Sequence, residues 1–222
     1  MPKNKGKKRD KKAYNLKLNL KAISEVLSAV RDYLFPYEKI SKKFLKINSE
    51  TDLVNFIKEK SAFVTQSTLY GYLKTRMGLK QNLMFTDDVF VDSVNKAKWN
   101  IFSEAVTDLT FFSISFLKTK HNIDNLDPNK IYETILQNEI SNGLPKEMCE
   151  KYKSKFKQKL ISFNIKEYSN NSPFANSCNA LFHWAPIADE LKVLDKEVVI
   201  NSIKNKWMLV VADLEKIPVT LK

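Results

Sequence analysis

Hydrophobic residues recur at helical spacing from Asp87 to Lys118, a stretch that contains neither glycine nor proline. Its apolar positions follow one another at steps of three, four or seven residues: Val91, Val94, Ile101, Ala105, Leu109, Phe112 and Phe116. These steps match the turn of an α-helix and not the two-residue alternation of a strand. Thr86 is a suitable N-cap, and Asp87 and Asp88 would follow in the first turn, where the helix dipole favours carboxylates. We therefore predict a helix over residues 87–118, about 48 Å long.

The apolar face of this predicted helix is wide in its second half. Apolar side chains cover nearly half of the circumference, and Phe111 and Ile114 lie among the polar residues of the other side. A helix that is apolar on most sides is covered by neighbours. We expect it to be the central helix of the fold.

The same periodicity predicts shorter helices elsewhere. They span residues 23–34, 37–47, 49–77, 128–141, 145–161, 173–184 and 196–215. Ser49 and Gly78 bound one of them, Asp127 and Pro128 open another, and Asp195 is expected to cap the last. Residues 14–20 and the C-terminal KIPVTLK alternate, so a small two-stranded pairing between them is an option. The pattern predicts an all-α fold, an irregular single-domain bundle of about seven or eight helices.

Composition supports one helical domain. The chain has 222 residues, of which 43% are hydrophobic, and its four glycines and seven prolines supply few tight turns for an all-β fold. Cys149 and Cys178 fit free thiols in a reducing compartment. No segment reaches the roughly 18 apolar residues of a membrane span, and no signal peptide pattern follows the basic start. We expect a cytoplasmic protein.

Positive charge is concentrated at the N-terminus. Of the net charge of +12, residues 1–12 contribute +6, from seven Lys or Arg and one Asp. We predict a disordered basic tail over residues 1–13 and a helical domain over residues 14–222. Such a tail contacts RNA, DNA or an anionic membrane, or it serves only to keep the protein in solution. Only three of the 37 basic residues are arginine, so a codon bias that favours lysine also accounts for part of the charge.

The sequence lacks the common catalytic motifs. Its four glycines form no P-loop or dinucleotide pattern, and no Gly-x-Ser-x-Gly elbow is present. Cys178 and His183 are five residues apart, so they point in different directions on a helix. With His121 and His183 as the only histidines, no metal-ligand spacing occurs. We expect neither a metal nor a cofactor.

The first candidate site is LYGYLKTRMG, residues 69–78. Lys74 and Arg76 can contact an anion or phosphate, with Tyr70 or Tyr72 for stacking. The alternative is an aromatic pair that faces the core, with cations that favour a helix C-terminus.

The second candidate is the pair Glu104 and Asp108, one helical turn apart within an apolar run. Partly buried carboxylates can have raised pKa values and act as general acid and base. Alternatively, they pair with a Lys or Arg of a neighbouring helix, for example Arg31 or Arg76.

The third candidate is FHWAPIADEL, residues 182–191, in which His183 and Trp184 can line a pocket or a partner groove. The alternative is a helical corner packed by Trp184. The lysines of residues 145–161 spread around the helix, which is typical of a solvated face rather than a phosphate contact.

The strings LYGYLKTRMG, MFTDDVFVDSVNKAKWNIF and WAPIADELK resemble those of a family of small uncharacterised alphaproteobacterial proteins, some of which carry an esterase label. The resemblance spans roughly residues 60–210. It implies a bacterial cytoplasmic protein, and it carries no catalytic residue over to this chain.

Three functions remain open, and with them whether the protein is an enzyme. The first is a helical binding module that its basic N-terminus tethers to RNA, the ribosome or an anionic membrane. The second is a small esterase-like hydrolase that uses Glu104, Asp108 or an unassigned serine. The third is a structural subunit with a protein partner.

Overall fold

The structure is a computed structural model, which describes residues 46–164, 168 and 173–221. Within these ranges it contains six α-helices of ten residues or more. They are α1 (Glu50–Met77), α2 (Asp88–His121), α3 (Pro128–Ile140), α4 (Lys146–Ile161), α5 (Ala175–Trp184) and α6 (Asp189–Lys216). A 3₁₀ turn (Gly78–Lys80) and one α-helical turn (Gln81–Met84) join α1 to α2.

The described part of the chain is all-helical, as predicted. It contains no strand, and its one isolated β-bridge joins Ile47 to Val219 in parallel. The predictions for residues 1–13, 14–20, 23–34 and most of 37–47 lie outside the described residues. The pairing proposed between residues 14–20 and the C-terminus lies there too.

Local capping explains where α1 begins and ends. The Ser49 hydroxyl accepts from the backbone N–H of Asp52 at 3.1 Å, and the Asp52 carboxylate accepts from the backbone N–H of Ser49 at the same distance. This reciprocal pair is a capping box. At the other end Gly78 has φ +52°, which glycine adopts without a Cβ penalty, and its N–H binds the carbonyl of Lys74.

Two predicted caps are wrong. Asp87, and not Thr86, caps α2: its carboxylate accepts from the N–H groups of Val89 and Phe90, whereas the Thr86 hydroxyl donates to the carbonyl of Leu83. The last helix, α6, begins at Asp189 and not after Asp195. Asp195 instead lies inside α6 and binds a side chain of α1.

Helix α2 is covered on all sides over much of its length. Every residue from Ala97 to Ser115 is buried, and the helix contacts α1, α3 and α5. The pairs α3–α4, α1–α6 and α5–α6 complete the main helix contacts. Burial on all sides brings polar residues of α2 into the interior, where most polar groups have a hydrogen-bond partner. Among the described residues the buried hydroxyls of Thr110 and Ser113 have none. No helix in the described ranges has the length and apolarity of a membrane span.

Candidate functional site

Asp108 binds the N-terminus of another helix. Helix α5 follows Phe174, whose φ is +71° and whose side chain provides no cap. The buried Asp108 carboxylate accepts from the backbone N–H of Ser177 at 2.7 Å, from the Asn176 amide at 2.7 Å and from the Tyr168 hydroxyl at 3.1 Å. Because the first N–H groups of a helix lack partners within it, Asp108 caps α5 across the fold.

The surroundings of Asp108 shift the pKa of its carboxyl group. Burial raises the pKa of Asp108, the bonds from Ser177 and Asn176 oppose this rise, and the nearby Glu104 adds to it. Burial also raises the pKa of the Tyr168 phenol, and the charge of Asp108 raises it further. Tyr168 therefore remains a hydrogen-bond donor to Asp108 at neutral pH.

Glu104 lies one turn before Asp108 and binds two lysines of α4. Its carboxylate pairs with Lys155 and, at 2.7 Å, with Lys159. Lys159 also donates to the Asn176 side-chain oxygen at 2.7 Å, so Glu104 and Asp108 belong to one bonded network. The alternative prediction, that this pair binds a Lys or Arg of a neighbouring helix, is confirmed for Glu104 by Lys155 and Lys159. Arg76 is not the partner, because it binds Asp195, and Arg31 lies outside the described residues.

A polar cavity of about 320 Å³ lies beside this network. It is lined by Phe111, Lys159, Ser162, Phe163, Asn164, Tyr168 and Asn176. Neither Glu104 nor Asp108 lines it. The two carboxylates therefore act on the cavity only through the groups they bind. This geometry is unfavourable for general acid–base catalysis, because a catalytic carboxylate must reach the substrate's proton directly or through one water.

The four predicted anion-binding residues lie on two different faces of α1. Arg76 forms a bidentate salt bridge with Asp195 of α6, and the Tyr72 hydroxyl donates to the same carboxylate at 2.9 Å. On the other face Tyr70 stacks on Phe85 at 6.2 Å, and Lys74 is exposed. An anion at Arg76 would have to displace Asp195.

Charge and burial both act on the group around Asp195. The Arg76 guanidinium lowers the pKa of Asp195, and the bond from Tyr72 lowers it further. Burial raises the pKa of Tyr72 to about 12, and the Asp195 charge contributes to that rise. The result is an ionic tie between α1 and α6 that holds at neutral pH.

His183 and Trp184 end α5 near the surface. His183 is exposed and its ring packs edge-on against Trp184 at 4.9 Å, while the Lys96 ammonium lies 5.4 Å from the centre of the Trp184 ring. Neither residue lines the polar cavity or the larger groove described next.

An apolar groove of about 710 Å³ between α2, α5 and α6 was missed from the sequence. Its walls carry the aromatic side chains of Phe112, Phe174 and Trp207, with Phe174 and Trp207 stacked at 4.4 Å. Three separate helices supply these walls, so no single stretch of sequence shows the groove. The signal that was present is Met208, an exposed apolar residue of α6 that lines the groove.

Cys178 lies in this groove but is not an activated nucleophile. Burial, with the Asp108 charge adding to it, raises the pKa of the Cys178 thiol to about 12. Since the thiolate is the reactive form, this raised pKa disfavours a nucleophilic role for Cys178 at neutral pH. No three His, Cys, Asp or Glu side chains cluster as a metal site in the part of the chain that the structure describes.

Fold and site together define an all-α protein with a buried carboxylate–lysine network and an open apolar groove. No protein-family model, curated protein or solved structure matches this chain.

Proposed function

We propose that this protein is a non-catalytic helical binding module whose basic N-terminus tethers it to RNA, free or in the ribosome. The observation that carries this proposal is the charge of residues 1–12, with seven cations against one carboxylate. As part of this proposal, the protein is located in the bacterial cytoplasm.

Counterion release favours such a segment as a polyphosphate contact. Each lysine that neutralises a phosphate releases a condensed ion, and the gain is nearly independent of sequence. The other 210 residues share the remaining +6. Residues 151–160 match the N-terminus in charge density, with five lysines and no carboxylate. Four of these lysines, however, pair with carboxylates of the described residues: Lys153, Lys155, Lys157 and Lys159. An anionic membrane offers weaker binding to a segment without apolar anchors.

The proposed module is a single bundle of seven or eight helices around α2. Complete burial from Ala97 to Ser115 supports this architecture. A rigid bundle of this kind holds a binding surface in place while a terminal segment searches for its polyanion.

The bonding of the two candidate carboxylates supports a non-catalytic role. Asp108 caps α5, and Glu104 neutralises two lysines. Both roles stabilise the fold, and neither requires a substrate.

Deletion of residues 1–12 tests the tether. We expect the shortened protein to be released from immobilised RNA at a lower salt concentration than the parent protein. The slope of log Kobs against log salt concentration should fall in magnitude by up to about 5, because seven cations are removed. A matched control replaces six exposed lysines of the helical domain with glutamine and removes the same net charge. These are Lys74, Lys80, Lys120, Lys146, Lys151 and Lys216.

The tether would be refuted if the deletion leaves retention on RNA unchanged. It would also be refuted if the control variant loses retention to the same extent. A second arm uses vesicles with and without anionic lipid. Binding to anionic vesicles but not to RNA would assign the segment to a membrane surface instead.

A small hydrolase is the second candidate function. The polar cavity beside Lys159, Asn176 and Tyr168 favours it, because these side chains supply donors at a concave surface. Hydrolysis of a p-nitrophenyl ester by the parent protein, by Glu104→Gln and by Asp108→Asn decides the matter. An inactive parent removes this candidate, and activity lost in both variants would support it.

A further inference from the structure

We propose that the apolar groove is the contact surface of a homodimer, in which α6 of one copy packs antiparallel to α6 of a second copy. This inference is independent of the N-terminal tether. It rests on the exposed apolar residues of α6 and on the charges at the two ends of the groove.

Helix α6 exposes apolar side chains where solvent-facing helices usually carry polar ones. Met208 is 68% exposed and Leu209 is 56% exposed, and Met208 lines the groove together with the half-buried Val211 and Ala212. Exposed apolar side chains beside an apolar groove are a feature of interaction surfaces.

The two ends of the groove carry opposite charges. Lys204 and Glu215 both line it and are both exposed. Neither has an ion-pair partner among the residues described. They are 11 positions apart, which places them on the same face of α6 and about 16 Å apart along its axis.

This arrangement is self-complementary under a two-fold axis. If two copies of α6 cross antiparallel with the axis between Leu209 and Val210, Lys204 of one copy faces Glu215 of the second copy. The same register places Met208 opposite Val211 of the second copy, so apolar contacts lie between the two charge pairs. Two-fold contacts require this self-matching, because each residue pair occurs twice.

A second copy fits this groove better than an apolar small molecule does. The groove is open along α6, and Met208, which lines it, is 68% exposed to water. In the antiparallel pair, Met208 of each copy fills the groove of the other, and both unpaired charges gain partners.

Charge reversal tests the register directly. Light scattering after size-exclusion chromatography of the full, nuclease-treated chain should give a dimer mass. We expect Lys204→Glu and Glu215→Lys each to raise the dimer dissociation constant at least about tenfold, because each change creates two like-charge pairs by symmetry. The double variant, Lys204→Glu with Glu215→Lys, should restore the parent constant within about threefold.

Substitution on the apolar part separates the contact from general effects on the helix. Met208→Lys should abolish the dimer. Leu194→Lys is the matched control, since Leu194 is an apolar residue of α6 that is 77% exposed and does not line the groove. Circular dichroism verifies that each variant is folded.

A monomer at all accessible concentrations would overturn the proposal. So would a dimer that persists in Met208→Lys, or single charge reversals that the double variant does not rescue. A monomer whose groove takes up an apolar dye would show that a small ligand is its occupant.

Discussion

Asp108 and Glu104 occupy adjacent turns of the same buried helix segment and are stabilised in different ways. Glu104 has two ammonium partners, Lys155 and Lys159. Asp108 has no cationic partner in the described part of the chain and accepts instead from an N–H group, an amide and a phenol. A buried carboxylate without a cation is tolerated when three donors and a helix N-terminus surround it.

Removal of the Asp108 side chain should destabilise the protein strongly. Asp108→Ala leaves the Ser177 N–H and the Asn176 amide without their acceptor, so we expect a loss of about 2–4 kcal/mol in the free energy of unfolding. Asp108→Asn should lose less, because an amide oxygen still accepts one of the bonds. Urea unfolding monitored by fluorescence measures both.

Asp92→Ala is the control for this prediction, since Asp92 is exposed on the same helix. We expect it to change the free energy of unfolding by no more than about 0.5 kcal/mol. Equal effects at positions 92 and 108 would contradict the role of Asp108 as the cap of α5.

Helix ends show how far local sequence specifies an element. The sequence located the starts at Ser49 and at Asp127–Pro128 because a cap is a contact between residues two or three positions apart. Asp195 looked like another such cap, but it lies inside α6, where Arg76 binds it. A short polar side chain that binds a distant partner has the same local pattern as a cap.

The tie between α1 and α6 should make stability depend on pH. Arg76 lowers the pKa of Asp195, so the folded state favours the carboxylate. This contribution is complete above the ordinary Asp pKa of about 4, and it disappears as the pH falls through the lowered pKa of the folded state. We expect Asp195→Asn to lower Tm at pH 7, and its Tm to converge with that of the parent protein as the pH falls below about 4.

Thermal unfolding from about pH 3 to about pH 8 measures this difference in Tm. Asp189→Asn is the control, because Asp189 is 91% exposed and its one ion-pair partner among the described residues is Lys192 of its own helix. A Tm difference for Asp195→Asn that stays constant down to the lowest pH would contradict the ionic tie.

At the scale of the whole molecule, the two ends of the described chain meet. The N–H of Ile47 binds the carbonyl of Pro218, and the N–H of Thr220 binds the carbonyl of Ile47, each at 3.0 Å. Ile47 is fully buried. The contact joins the segment before α1 to the segment after α6, so it closes the bundle at one end.

Deletion of residues 218–222 should open this contact. The deletion removes both backbone bonds and exposes Ile47, and we expect a loss of about 2–4 kcal/mol in the free energy of unfolding. Denaturant unfolding measures it. Thr220→Val serves as the control because it keeps both backbone bonds, and a deletion no more harmful than this substitution would contradict the closing role.

Helix periodicity, most helix ends and the all-α class followed from the sequence, since each depends on contacts within a few residues along the chain. The candidate sites depended on distant partners. Glu104 and Asp108 are more fully buried than the partial burial predicted, and their partners come from α4, α5 and the segment at Tyr168. The apolar groove exists only where α2, α5 and α6 meet. One-dimensional spacing specifies which face of a helix is apolar, whereas packing in three dimensions specifies what that face contacts.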